Sequence, residues 1–88
     1  MSNLAKTWYE ICKDVDPEFG SARAVALIYE VTGNKYTQSR FGEWVNGKKP
    51  VPKSVRPLMV RDVLVRIYER AGAKISSRAL DEMTEILA

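Results

Sequence analysis

Few residues of this sequence belong to the types that usually perform catalysis or hold metal ions. The chain of 88 residues contains no histidine and one cysteine, so it offers no imidazole base and no cluster of soft metal ligands. Cys12 falls on the apolar side of a predicted helix, which favours a small core residue over a reactive thiol. We therefore expect a protein that is not an enzyme and has no metal centre.

Two short stretches match ligand-binding loops only in part. Residues 42–49, GEWVNGKK, nearly match a nucleotide-binding P-loop, but Lys49 stands where Ser or Thr should bind magnesium. Asp14, Asp16 and Glu18 alternate like the start of a calcium loop, but Val25 stands where that loop needs a bidentate glutamate. We expect no cofactor at either stretch.

Basic residues are concentrated in the middle of the chain. Lys and Arg outnumber Asp and Glu by 14 to 11, for a formal charge of +3 and an isoelectric point near 9.2. Between residues 35 and 66 only Glu43 and Asp62 are acidic, whereas the basic residues there are Lys35, Arg40, Lys48, Lys49, Lys53, Arg56, Arg61 and Arg66. This distribution permits an anionic partner such as nucleic acid.

The elements that carry these residues are predicted to be helices. Apolar residues recur at helical spacing in five segments, with 45% of the chain hydrophobic and no alternating strand pair. The predicted helices cover residues 4–15, a second segment between a Ser21 cap and Gly33, residues 36–46, a fourth segment between a Ser54 cap and Gly72, and residues 76–88. We therefore predict an all-α, compact bundle of about five helices that forms a single domain over residues 1–88.

The apolar stripes of the helices predict which residues form the core. In the first helix the stripe contains Leu4, Trp8, Ile11, Cys12 and Val15; in the second, Ala24, Leu27, Ile28 and Val31; in the third, Phe41, Trp44 and Val45; in the fourth, Val60, Val63, Leu64, Ile67, Tyr68 and Ala71. Phe41 and Trp44 are interpreted as core residues and not as a platform for stacking bases, because both fall on the predicted buried face.

Two consecutive helices joined by a short turn with Gly33, the second ending at Asn-Gly and followed by lysines, are the parts of a helix-turn-helix, at about residues 21–47. The segment QSRFGEWVNG, residues 38–47, resembles the recognition helix of the lambda-repressor and Cro-type DNA-binding family. The sequence departs from the family pattern at Tyr29, where alanine is common, and in a turn before Gln38 that is two residues longer.

The resemblance implies which residues contact DNA. The predicted helix of residues 36–46 would enter the major groove, with Gln38, Ser39, Arg40 and Glu43 as base-contact candidates. The candidates for contact with the DNA backbone are Ser21, Arg23, Lys35, Tyr36, Asn46, Lys48, Lys49 and Lys53. Lys48 and Lys49 are equally open to reading as an ordinary solvated loop, although their neighbours Lys53 and Arg56 favour phosphate contact.

The predicted function is sequence-specific binding of double-stranded DNA by a small bacterial or phage transcriptional regulator, a repressor by the resemblance. The alternative is a helical protein-interaction module, such as an adaptor or anti-repressor-like phage protein, that does not bind specific DNA.

A homodimer is expected because one such unit reads only a few base pairs. The candidate dimer surface lies on the last helix at Leu80, Met83, Ile86 and Leu87, which alternatively pack against the first or fourth helix. The chain start lacks the apolar core of a signal peptide and no segment has the length of a membrane span, so we expect a cytoplasmic protein with no membrane contact.

Overall fold

The structure is a computed structural model that describes residues 3–88, and it contains five α-helices over that range. They are α1 (Leu4–Val15), α2 (Ser21–Thr32), α3 (Gln38–Val45), α4 (Arg56–Arg70) and α5 (Ser77–Leu87). No strand occurs within these residues, and their radius of gyration is 12.8 Å. The all-α prediction and its number of helices are confirmed.

Two of the predicted helix ends are confirmed. Of Ser76 and Ser77, either of which could cap α5, Ser76 is the cap, because its side chain accepts a hydrogen bond from the backbone N–H of Ala79 at 3.1 Å. Helix α3 is shorter than the predicted residues 36–46, because the hydroxyl of Thr37 accepts from the N–H of Arg40, also at 3.1 Å, and the helix begins after this cap, at Gln38. Gly33 ends α2 in the left-handed conformation, at φ +76°, which glycine adopts without the steric cost of a Cβ.

The predicted cap of α4 at Ser54 is wrong. This helix begins at Arg56, after Val55, and no side chain caps it. The backbone N–H groups of Val55 and Arg56 instead donate to the carbonyl of Pro52, at 3.0 and 3.1 Å. This tight turn already takes the place of a cap, and Pro57 in the first turn has no N–H that would need one.

The main core lies where α1, α2, α3 and the start of α4 meet. Its buried residues are Ala5, Trp8, Ala24, Ile28, Phe41, Trp44, Val55 and Met59. The rings of Trp8 and Phe41 meet edge to face, with centroids 6.0 Å apart, and Phe41 meets Trp44 in the same way at 6.1 Å. Such aromatic pairs add to the stability that burial alone provides. The interpretation of Phe41 and Trp44 as core residues is confirmed.

A smaller second core joins α4 to α5 through Val60, Leu64 and Leu80. A polar contact also ties α4 to α1, because the indole N–H of fully buried Trp8 donates to a carboxylate oxygen of Asp62 at 2.8 Å. Helix α1 thus contacts both α3 and α4. Through these two contacts α1 connects α3 to α4.

Four residues of the predicted stripes are exposed. Val15, Val31 and Ile67 are 64%, 57% and 54% exposed, and Ala71, directly after α4, is exposed as well. Val15 and Val31 lie in the last turns of α1 and α2, and Ile67 directly precedes Tyr68, whose hydroxyl lies 3.8 Å from the sulfur of Met83 in α5. Each of these helices thus buries only part of its predicted stripe. No helix of residues 3–88 is long and apolar enough to cross a membrane.

Candidate functional site

Helix α3 is anchored by its aromatic residues and exposes polar ones. Phe41 and Trp44 are 1% and 2% exposed, whereas Gln38, Ser39 and Arg40 are all exposed. Because 3.6 residues make a turn, burying positions 41 and 44 turns Ser39 directly away from the core and places Gln38 and Arg40 on the two flanks of the exposed face. The structure therefore brings three of the four base-contact candidates together at the start of α3.

The fourth base-contact candidate, Glu43, is half-buried. It lines a small cavity of about 210 Å³ together with Arg40, Trp44 and Lys49. Its backbone carbonyl accepts hydrogen bonds from the N–H groups of Lys48, at 2.8 Å, and Lys49, at 3.3 Å. Glu43 therefore contributes chiefly to the turn that follows α3.

A side-chain hydrogen bond joins the starts of α2 and α3. The hydroxyl of Ser21 donates to Oε1 of Gln38 at 2.7 Å. Ser21 was expected to cap α2 and is not its cap, because the helix begins at Ser21 and Gly20 precedes it without a side-chain bond. The bond orients the Gln38 amide so that its Nε2 and the second lone pair of Oε1 remain available to a partner.

The segment after α3 contains lysines that are predicted to contact the DNA backbone. Asn46 ends the helix, and Gly47 turns the chain at φ +75°. Lys48 and Lys49 follow, and both are exposed, as is Lys53 farther along the connector. The start of α3 and the turn after it therefore present their polar and basic side chains to solvent.

The cations around α3 take part in no ion pair within residues 3–88. The five ion pairs of these residues lie elsewhere: Asp16–Arg23, Asp14–Arg70, Arg61–Asp81, Arg66–Glu69 and Arg78–Glu82. We define the basic surface as Lys35, Arg40, Lys48 and Lys49; Lys53 lines a separate cavity that also contains Asp81 and Glu85. A charged side chain without a partner is free to bind an anionic group.

Two of the residues predicted to contact the DNA backbone already interact with other side chains of the protein. Arg23 forms an ion pair with Asp16. Tyr36 is half-buried and its ring packs edge to face on Trp44, with centroids 4.9 Å apart. The ammonium of Lys35 lies 5.7 Å from the centroid of the Tyr29 ring, at the edge of the turn between α2 and α3. Tyr36 thus contributes to packing, and Arg23 can offer a ligand only the guanidinium N–H groups that Asp16 leaves free.

The four residues of the predicted dimer surface differ in how far they are exposed. Leu80 is 6% exposed and packs on Val60 and Leu64, so of the two alternatives predicted for it, a dimer surface and packing against the first or fourth helix, the second is confirmed. Met83 is half-buried against the same cluster, with the Tyr68 hydroxyl 3.8 Å from its sulfur. Ile86 and Leu87 are 80% and 53% exposed. Only these last two residues are fully available to a second molecule.

A groove between α1 and α4 contains the cysteine. It has a volume of about 420 Å³ and an apolar wall that includes Ile11, Cys12, Phe19 and Val65. Burial, and secondarily the carboxylate of Asp62, raises the pKa of the Cys12 thiol to about 11. The thiol is therefore protonated at neutral pH and a poor nucleophile. Within residues 3–88 no three His, Cys, Asp or Glu side chains are grouped to hold a metal ion.

The side chain of Asn3 reaches the end of α3, a contact that the sequence did not predict. Its amide nitrogen donates to the backbone carbonyls of Trp44, at 3.0 Å, and Val45, at 2.8 Å. An asparagine directly before an amphipathic helix is a recognisable cap for that helix. Nothing in the local sequence indicates that the same amide also bonds to a helix 41 residues away.

No known family model matches this chain, and neither a curated protein nor a solved structure is significantly similar to it. Its function is therefore inferred from the surface around α3.

Proposed function

We propose that this protein binds double-stranded DNA through a helix-turn-helix formed by α2 and α3, and that it acts as a transcriptional regulator. One observation carries the proposal: exposed cations lie along α3 and its flanking turns, Lys35 before the helix, Arg40 on it, and Lys48 and Lys49 after it, and none of them forms an ion pair within residues 3–88. Phosphates along a duplex bind such cations and supply most of the affinity of a DNA-binding protein.

The dimensions of α3 agree with this proposal. An α-helix with its side chains is about 10–12 Å across, which fits a major groove about 12 Å wide, and eight residues at 1.5 Å each make α3 about 12 Å long. The amide of Gln38, oriented by Ser21, retains the donor and acceptor that pair with adenine. Arg40 offers a guanidinium for guanine or for a phosphate.

The exposed end of α5 supports a second part of the proposal. We infer that two copies associate through Ile86 and Leu87, so that two α3 helices read paired half-sites. Sedimentation of the native protein and of Ile86→Ser tests this inference. A native protein that stays monomeric at micromolar concentration, with and without DNA, would contradict it.

Selection of bound duplexes from a random pool, at two salt concentrations, tests DNA binding. The native protein should enrich a motif, and its affinity should fall as salt rises. Lys48→Ala and Lys49→Ala should each lower the salt slope by about 1 unit at any sequence, whereas Gln38→Ala should relax the preference at one base position. The matched control is Lys74→Ala, an exposed lysine between α4 and α5.

The result that refutes the proposal is the absence of any enriched motif at low salt. Equal losses from Lys48→Ala and Lys74→Ala would indicate general charge attraction without a defined interface. If the native chain captures a protein partner and still does so after Gln38→Ala and Arg40→Ala, the alternative of a protein-interaction module is favoured.

A further inference from the structure

The side-chain amide of Asn3 forms hydrogen bonds with the backbone of two different helices. Its Oδ1 accepts a hydrogen bond from the backbone N–H of Lys6 at 3.1 Å and caps the start of α1. Its Nδ2 donates to the carbonyls of Trp44 and Val45 at the end of α3. The two ends of one amide thus satisfy backbone groups of two helices that are far apart in sequence.

The end of α3 needs an external donor. The last carbonyls of a helix have no partner within the helix, and other groups must satisfy them. Here the turn satisfies three of them from its own backbone: the N–H of Asn46 donates to the carbonyl of Gly42, those of Lys48 and Lys49 donate to Glu43, and that of Gly47 donates to Trp44. The carbonyl of Val45, the last residue of the helix, takes its hydrogen bond from Asn3.

The turn that carries the lysines begins at this contact. A Cβ placed on Gly47 would lie 3.7 Å from Nδ2 of Asn3, which is van der Waals distance, so the amide lies beside the turn. Asn3, Gly47, Lys48 and Lys49 all line one cleft of about 440 Å³. The Asn3 amide is therefore next to the point where the segment with both lysines begins.

We propose that Asn3 is a positioning residue that fixes the end of α3 and the turn of residues 47–49 onto α1. The proposal rests on the proposed function in one respect: if Lys48 and Lys49 bind phosphate, their contribution depends on a residue that does not touch DNA. Without the anchor, the turn has to become ordered when DNA binds, and that ordering weakens the affinity.

Asn3→Ser separates the two roles of the side chain. Serine is as good a helix cap as asparagine, so the cap of α1 is kept. Its shorter side chain has no amide to reach the carbonyls of Trp44 and Val45. Asn3→Asp also keeps the cap but places carboxylate oxygens against two carbonyl oxygens, so it should affect the turn more strongly than Asn3→Ser.

The matched control is Ser76→Ala, which removes the cap of α5. It should lower the overall stability about as much as the loss of any helix cap does. The side chain of Ser76 bonds to Ala79 within its own helix, so its loss should leave the turn after α3 unchanged.

The first measurement is amide hydrogen exchange in the DNA-free protein at a temperature where every variant is folded. In Asn3→Ser the amides of Lys48 and Lys49 should exchange faster than in the native protein, whereas the amide of Lys6 should not. The second measurement is the affinity for the selected duplex against salt. Asn3→Ser should bind about 2- to 10-fold more weakly with an unchanged salt slope, because the same cations still contact phosphate.

The two measurements test the positioning role and the proposed function separately. Unchanged exchange at Lys48 and Lys49 in Asn3→Ser would overturn the positioning role, whatever the DNA result. Faster exchange in a protein whose native form binds no DNA would overturn the proposed function and leave Asn3 as the residue that fixes the turn. A weaker affinity of equal size in Ser76→Ala would show that lost stability, and not lost positioning, causes the effect.

Discussion

The hydrogen bond between Trp8 and Asp62 gives the sharpest test of how the bundle is held together. Trp8 is fully buried in α1, and its indole N–H lies 2.8 Å from a carboxylate oxygen of Asp62 in α4. Asp62→Ala removes the acceptor and leaves a buried donor without a partner. That loss costs about 1–3 kcal/mol of unfolding free energy.

The same site allows the charge to be tested apart from the acceptor. Asp62→Asn keeps an oxygen that can accept from the indole, but a neutral bond is about half as strong as a charge-assisted one. Its destabilisation should therefore lie between zero and that of Asp62→Ala. A domain of this size has a total stability of about 4–13 kcal/mol, so both variants should still fold.

Urea unfolding followed by far-ultraviolet circular dichroism measures these differences, and thermal melts should show a fall of about 4–8 °C for each kcal/mol lost. The control is Asp81→Ala, which breaks an exposed ion pair between α5 and Arg61 in α4. Such surface pairs contribute less than about 1 kcal/mol. The reasoning is refuted if Asp62→Ala destabilises no more than Asp81→Ala, or if Asp62→Asn is as damaging as Asp62→Ala.

Two further predictions concern Cys12 and the glycine that ends α2. Because the pKa of Cys12 is raised from 9.0 to about 11, a thiol reagent at pH 8 should react about 100-fold more slowly with the folded than with the unfolded chain. The folded rate should rise with pH up to about 11, since deprotonation produces the reactive thiolate, and equal rates for folded and unfolded protein would contradict this. Gly33→Ala should cost about 1–2 kcal/mol in urea unfolding, because φ is +76° there. Gly20→Ala is its control, with extended backbone and open space around the added methyl group, and a similar loss in both variants would count against a conformational cause.

The sequence alone predicted the helices because their signals are local. The first helix was expected over residues 4–15, and α1 has those bounds. Gly33 was expected to end α2, and it does. Either Ser76 or Ser77 was expected to cap α5, and Ser76 is the cap. A cap or a left-handed glycine depends on groups within four residues, so the end of a helix can be predicted from the local sequence. The burial of Phe41 and Trp44 followed in the same way, from the spacing of apolar residues on one short helix.

The predictions that were open or wrong concern contacts between helices. Leu80 was a candidate for a dimer surface or for packing on the first or fourth helix, and it packs on α4. Ile67 was assigned to the core, yet it is 54% exposed. An apolar stripe shows which face of a helix is to be buried, but the neighbour that buries it and the length of that contact depend on how the helices pack.

The candidate site shows the same division between sequence and tertiary structure. Its residue types, Gln38 and Arg40 on a helix followed by lysines, are visible in the sequence. Three features appear only when distant segments meet: the bond from Ser21 to Gln38, the anchor from Asn3 to Val45, and the absence of ion pairs on the basic surface. The sequence determined which side chains the third helix exposes, because helical spacing is a property of the chain itself. The tertiary structure decided how those side chains are held and which charges stay free, because both depend on partners that folding brings from elsewhere in the chain.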